Sequence, residues 1–274
     1  MYQSKKHGNC HVCGKLGKLT YEHVPPKCAE KLAYEHVPPK YARNKRSVKK
    51  YMLADVGTTE GRVPSNSFER KKYISQQRGS GDYSLCDGCN SYFGANYVKE
   101  YCEAVSGVLR VLSAGYKDKT ATFHFENFDA LAFIKQVILM YCATRQSGSM
   151  LAFKDFLIDR ESNAFPSGFR LFMYVISDIN SHRSNPRQKT KDISVSPPVE
   201  IAINHLRLYP FGFILYEVEH PKANIPKFGL EITDFAKSEW GAKRDVPLDL
   251  AICDFSDRVV PIFDEVGMKD LPVN

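Results

Sequence analysis

Two Cys-x2-Cys knuckles, Cys10-His11-Val12-Cys13 and Cys86-Asp87-Gly88-Cys89, offer four thiolates from distant parts of the chain. Four sulfur ligands are the usual set of a closed tetrahedral zinc site, which leaves no position for water and so predicts a structural ion rather than a hydrolytic one. Each knuckle stands near polar residues able to do chemistry. Glu22-His23 follows the first, and Asn90 adjoins the second.

The elements that must position these residues can be read around them. A short β-favouring run, Lys18-Leu19-Thr20-Tyr21, leads into Glu22-His23, and Pro25-Pro26 then stops any regular element. After the second knuckle Asn90 opens an apolar-periodic segment, with Phe93, Tyr97, Tyr101 and Val105 four residues apart as on one helix face. The predicted order is strand, loop, helix, with Glu-His on the strand side and Asn at the helix start.

That order resembles the HNH branch of the ββα-metal (His-Me finger) nucleases in its zinc-stapled bacterial form, over roughly residues 8 to 105. The resemblance implies that His23 is a general base and that Glu22 and Asn90 hold a catalytic divalent ion, Mg²⁺ or Mn²⁺. Cys10, Cys13, Cys86 and Cys89 are then the zinc staple. A neutral imidazole can take the proton of an attacking water near pH 7, and a hard cation on oxygen ligands offsets charge on the phosphoryl group. DNA is the implied substrate, in settings such as phage defence or mobile elements. Two positions depart from the family pattern. Asn90 stands where many members have His, and Gly81, beside Asp82, stands where many carry an Asn that orients the base.

Residues 18 to 43 hold a duplication: Lys18-Leu-Thr-Tyr-Glu-His-Val-Pro-Pro-Lys-Cys-Ala-Glu30 is followed by Lys31-Leu-Ala-Tyr-Glu-His-Val-Pro-Pro-Lys-Tyr-Ala-Arg43. Two copies of so short a period do not make a solenoid. The base is therefore His23 or His36, with Glu22 or Glu35 as its neighbour. Thr20 and the short span from Cys13 favour the first copy, since Cys28 to Ala33 reads as helical.

With 274 residues and 43% hydrophobic content, the chain can bury a sizeable core. Residues 1 to 50 carry ten Lys and two Arg against three Glu and no Asp, more than the whole net charge of +7, so the rest is slightly acidic. Such a distribution fits a polyanion partner or a solvated basic surface. Lys27, Lys40 and Arg78 are the candidate phosphate contacts. No secretory signal and no membrane-length apolar run is evident, which predicts a cytoplasmic protein with reduced thiols. Cys28, Cys102, Cys142 and Cys253 lack partner spacing and then read as packing residues or bystanders.

The connector Ala42 to Tyr83 is basic and loop-like, with Tyr51, Phe68 and Tyr73 interspersed, and Asn44 or Asn66 could replace the missing orienting Asn. His7 and His11 flank the zinc cysteines, and His124, His182, His205 and His220 read as structural or surface residues. The expected division is a nuclease domain at 1–116 and an α+β module with an antiparallel sheet at 117–274. In the latter, helices are predicted over Asp129–Gln146 and Leu151–Glu161. Strands are predicted over Arg170–Ile179, Ile201–Arg207, Phe211–Glu219, Leu230–Phe235, Leu248–Phe255 and Val259–Val266, and Ser181–Pro198 reads as a polar loop. No phosphate loop, dinucleotide motif or nucleophile elbow appears there, and scaffolding, substrate positioning, ligand sensing, a protein partner or homodimerisation are the roles left open. The rival to the nuclease is a non-catalytic zinc-stapled nucleic-acid-binding protein in which Glu22-His23 merely completes a turn.

Overall fold

The computed structural model describes residues 7–35, 80–115, 118–177, 183–184, 188–192, 199–218, 229–253, 260–264 and 267–271. All belong to one compact unit, Met1–His36 with Gly79–Asn274; a second unit, Val37–Arg78, lies outside them, as do Lys40, Asn44, Asn66, Arg78 and the aromatic residues of the connector.

The first sheet has the order β1-β2-β3, with β1 at His7–Asn9, β2 at Leu16–Val24 and β3 at Ser80–Cys86, all antiparallel. Strand β2 is longer than the predicted run and carries both Glu22 and His23. Glycine and serine at 79–81 read as loop in the sequence, but pairing with β2 holds Ser80–Asp82 extended. The second repeat copy does not share the first copy's structure: its residues Lys31–Glu35 finish helix α1, Lys27–Glu35.

Two helices follow the second knuckle, α2 at Asp87–Asn96 and α3 at Val98–Ser113, with the break at Tyr97. The four-residue spacing survives the break, since Phe93, Tyr97, Tyr101 and Val105 are all buried. Helix α4, Ala130–Thr144, is buried over nearly its whole length, as a nearly all-round apolar sequence requires. Tyr101 of α3 stacks on Phe133 of α4, and Phe133 meets Phe211 and Phe213 of the second sheet. The sequence regions on either side of residue 116 therefore share one core.

Polar groups fix the ends of α4. The Asp129 carboxylate accepts from Ala132 N at 2.9 Å as an N-cap and from Gly241 N at 3.0 Å. Buried Glu100 accepts from Asp129 N and pairs with Lys243 Nζ at 2.8 Å. Lys135, also fully buried, donates to the carbonyls of Phe156, Asp159 and Ser162. It thereby ends the short helix α5, Lys154–Ile158, well before the predicted Glu161.

The second sheet has the order β4-β11-β5-β9-β8-β6, with β10 also on β5 and β7 also on β8. Its strands are β4 Thr120–Phe128, β5 Phe169–Ile176, β6 Arg183–Ser184, β7 Gln188–Asp192, β8 Val199–Leu208, β9 Phe211–Val218, β10 Leu230–Glu231 and β11 Arg244–Cys253. Every pairing is antiparallel except β11 with β5, parallel over Ile252↔Val175 and Cys253↔Ile176. The fold is mixed α+β, as expected, with antiparallel sheets.

Several elements differ from expectation. Strand β4 and the short β6 and β7 were not foreseen. Leu230–Phe235 is a strand for two residues only, then turns into a 3-10 helix at Thr233–Lys237, where the Thr233 hydroxyl takes the Leu171 N–H in place of a ladder carbonyl. Val259–Val266 becomes β12, Val260–Asp264, paired with β13, Gly267–Leu271, in a ladder of their own.

His205 is a core residue rather than a surface one. Its Nε2 is hydrogen-bonded to the Tyr174 hydroxyl at 2.5 Å, and burial, then Arg207, pulls its pKa down to about 3. Gly212 makes the space, because a Cβ there would overlap the Tyr174 ring.

Candidate metal centre and the strand beside it

Folding brings both knuckles together. The sulfurs of Cys10, Cys13, Cys86 and Cys89 all lie within 4.8 Å of one another, and the Cys13 and Cys86 sulfurs are 3.7 Å apart. The edge of a tetrahedron with metal–sulfur bonds of ~2.3 Å is roughly 3.8 Å, so the four donors fit an ion of that kind. Cys10 is buried and the other three are half-buried.

Local backbone explains each knuckle. In the first, Cys10 N donates to Lys15 O at 3.0 Å and Gly14 N to Cys10 O at 2.9 Å, a turn that Gly14 closes at φ +75°. In the second, Cys86 ends β3 in extended conformation and Cys89 lies in the first turn of α2. A bulge joins the two. Leu19 sits opposite Cys86 and Thr20 opposite Leu85, but Tyr21 is opposite Tyr83, which leaves Ser84 as the extra residue. Its carbonyl is turned to the first knuckle and accepts from His11 N at 2.9 Å.

The protons of the thiols are shared unequally. The hydrogen bond from Cys89 pulls the Cys10 thiol down to about 4, and the same bond, with burial, pushes Cys89 well above its ordinary range. Burial raises Cys13. His11 belongs to the fold rather than to the ligand set: its Nδ1–H donates to Cys142 O at 2.9 Å.

Asn90, in the first turn of α2, reaches β2. Its Nδ2 donates to Thr20 Oγ1 at 3.0 Å, and the Thr20 hydroxyl donates to Leu85 O at 2.9 Å. The first repeat copy is thus the one that meets Asn90. Strand alternation places Glu22 on the face of Thr20, and His23 on the other face with Tyr21, whose ring lies 5.1 Å away edge-on. Burial alone raises the Glu22 carboxyl to about 7. Opposite His23 in the register is Gly81, which has no side chain to offer, and His23 Nδ1 is buried without a hydrogen-bond partner among the described residues.

The remaining predicted residues are less engaged. Among the described residues only the four cysteines gather three or more His, Cys, Asp or Glu ligand atoms, so Glu22 and His23 form no second cluster of that kind. Lys27 is exposed at the start of α1. Glu35 ends α1 rather than a strand, and His36 lies outside the described residues. One expectation is overturned: Cys28 and Cys102 are neither packing residues nor bystanders but a disulfide, with Cα atoms 6.3 Å apart, tying α1 to α3. Two solitary cysteines so far apart in sequence gave no spacing signal. Thr20 was noted only as a β-former; its hydroxyl role depends on the register.

Fold and site define a mixed α+β protein with a four-cysteine cluster that could hold a metal ion, and among the described residues no helix is long and apolar enough to cross a membrane. No family model, no curated protein and no solved structure matches the chain.

Proposed function

We propose that the chain is a metal-dependent endonuclease of the HNH type, hydrolysing phosphodiester bonds in DNA. The observation that supports this reading is the Asn90–Thr20 bond. It attaches the helix after the second knuckle to strand β2, which carries Glu22-His23 and pairs with β3, so two paired strands and a helix meet at the site as the resemblance to the ββα-metal nucleases implies.

In this reading the four thiolates hold zinc, the ion best suited to a closed four-sulfur tetrahedron without redox duty. Glu22 and the Asn90 carboxamide oxygen are the donors for Mg²⁺ or Mn²⁺, which would offset charge on the phosphoryl group and the leaving oxygen. Glu22 suits that task because its burial leaves a carboxylate in need of a neighbouring cation. A phosphate lying across the end of β2 meets both faces of the strand, so that His23 takes the proton of water on one side while Glu22 and Asn90 act on the other. Lys27 and the basic N-terminal stretch attract the polyanion. The second sheet is a scaffold, or a surface for a protein partner or a second copy. A role in phage defence or a mobile element belongs to the same proposal; the cytoplasmic expectation rested on reduced thiols, and the Cys28–Cys102 bridge runs against it.

A second reading, a non-catalytic metal-stapled nucleic-acid-binding protein, is favoured by one observation: His23 lies on the face opposite Thr20, and its Nδ1 is buried without a hydrogen-bond partner among the described residues.

Plasmid nicking with Mg²⁺ or Mn²⁺ separates the two. The nuclease reading expects His23→Ala to lose at least about 100-fold in rate, as for removal of a general base, with His36→Ala close to wild type. No cutting with any divalent ion, together with retained DNA binding, supports the second reading.

A further inference from the structure

The hydrogen bonds at Thr20 determine which end of the Asn90 carboxamide faces the strand. A threonine hydroxyl has one proton to give and two lone pairs to receive. That proton is committed to Leu85 O, a carbonyl that can only accept. The contact from Asn90 must therefore be a donor, so the NH₂ group points to Thr20 and the carboxamide oxygen points away from it.

We propose that Thr20 is the positioning residue of the site, presenting Asn90 Oδ1 to a hard divalent cation, and that it ties the site to the first repeat copy. The proposal rests on the nuclease reading, in which Asn90 is a ligand. The second copy has Ala33 where the first has Thr20, so it offers no hydroxyl to make this bond, although its Tyr-Glu-His-Val-Pro-Pro-Lys segment is identical. With Ala33 in the strand, the carboxamide could turn its NH₂ toward the cation, and the hydrogens of an amide nitrogen, whose lone pair is delocalised into the carbonyl, repel a cation that oxygen would bind.

The test measures Mn²⁺ affinity of the full chain by paramagnetic resonance, alongside zinc content and melting. Thr20→Val keeps the shape without the hydroxyl. It should weaken Mn²⁺ binding about tenfold or more, the usual effect of removing a group that orients a metal ligand, while zinc content stays unchanged. Thr20→Ser should restore binding to near wild type. Asn90→Asp presents oxygen at either end, so Thr20→Val should change Mn²⁺ affinity less than about twofold in that background; the expectation there follows from carboxylate symmetry. Equal Mn²⁺ affinity of wild type and Thr20→Val overturns the role of Thr20 and leaves the nuclease reading standing. Failure of Thr20→Ser to rescue, or a full loss on Thr20→Val in the Asn90→Asp background, also overturns it, by making the residue a packing element. A wild-type protein that binds no Mn²⁺ and cuts no plasmid removes the nuclease reading and this proposal together.

Discussion

His11 Nδ1 and the carbonyl of Cys142 are 2.9 Å apart, a bond that joins the first knuckle to the last turn of the buried helix α4. The thiol cluster is consequently attached to the main core and is not a free-standing finger.

The first prediction concerns loss of that cluster. Cys86→Ser, or stripping the ion with a strong chelator, removes binding free energy that acts as folding free energy. Because the knuckle and α4 are joined, the whole unit should melt in one transition, lowered by roughly 10 °C or more. Calorimetry with metal analysis checks this. Unchanged melting of a Cys86→Ser protein that retains its ion would refute the staple.

The second concerns pH. The Glu22 carboxyl is raised from its usual 4.5 to about 7 by burial. The folded protein thus holds this proton more tightly than the unfolded chain, so the stability it contributes is complete below pH 4.5 and is lost as pH climbs through 7. At 1.36 kcal/mol per unit the loss is about 3 kcal/mol by pH 8 at most. Glu22→Gln should therefore melt higher than wild type at pH 8 and alike at pH 4.5. Added Mn²⁺ should raise the wild type at pH 8 but not the variant. Parallel pH profiles for the two proteins would count against a raised carboxyl.

A third prediction follows from Lys135. Its amine donates to the carbonyls of Phe156, Asp159 and Ser162 and sits 3.9 Å from the Phe156 ring, and burial lowers its pKa to about 7. Lys135→Met fills the volume but leaves the buried Phe156 carbonyl without its donor, while the Asp159 carbonyl keeps the Ser162 N–H, at a cost of about 2 kcal/mol. Urea titration gives the value; a change under about 0.5 kcal/mol, the size of an ordinary surface substitution, would mean that water replaces the amine.

Much of the architecture was legible because single elements announce themselves. Helix α4 is apolar nearly all round over Leu131 to Ala143, interrupted only by Lys135 and Gln136, and β5, β8 and β9 are rich in β-branched and aromatic residues. Strand β4 could have been found, since Thr120, Thr122 and His124 alternate with Ala121, Phe123 and Phe125, the last three buried. What the sequence hides is what only register creates. Ser80 to Asp82 look like a loop until β2 pairs with them, and the Ser84 bulge, the Thr20–Asn90 bond and the Cys28–Cys102 bridge each join residues far apart in the chain. The thiol cluster was legible for the opposite reason, because metal ligation imposes its spacing locally on each half.

The Cys28–Cys102 bridge closes a covalent ring around Val37–Arg78 and the second knuckle. A protease that nicks the backbone anywhere within Val37–Arg78 thus leaves two pieces still joined, one bearing Cys10 and Cys13, the other Cys86 and Cys89. On an unreduced gel they would travel as a single species, and the sulfur cage would be spared the need to find its other half by diffusion.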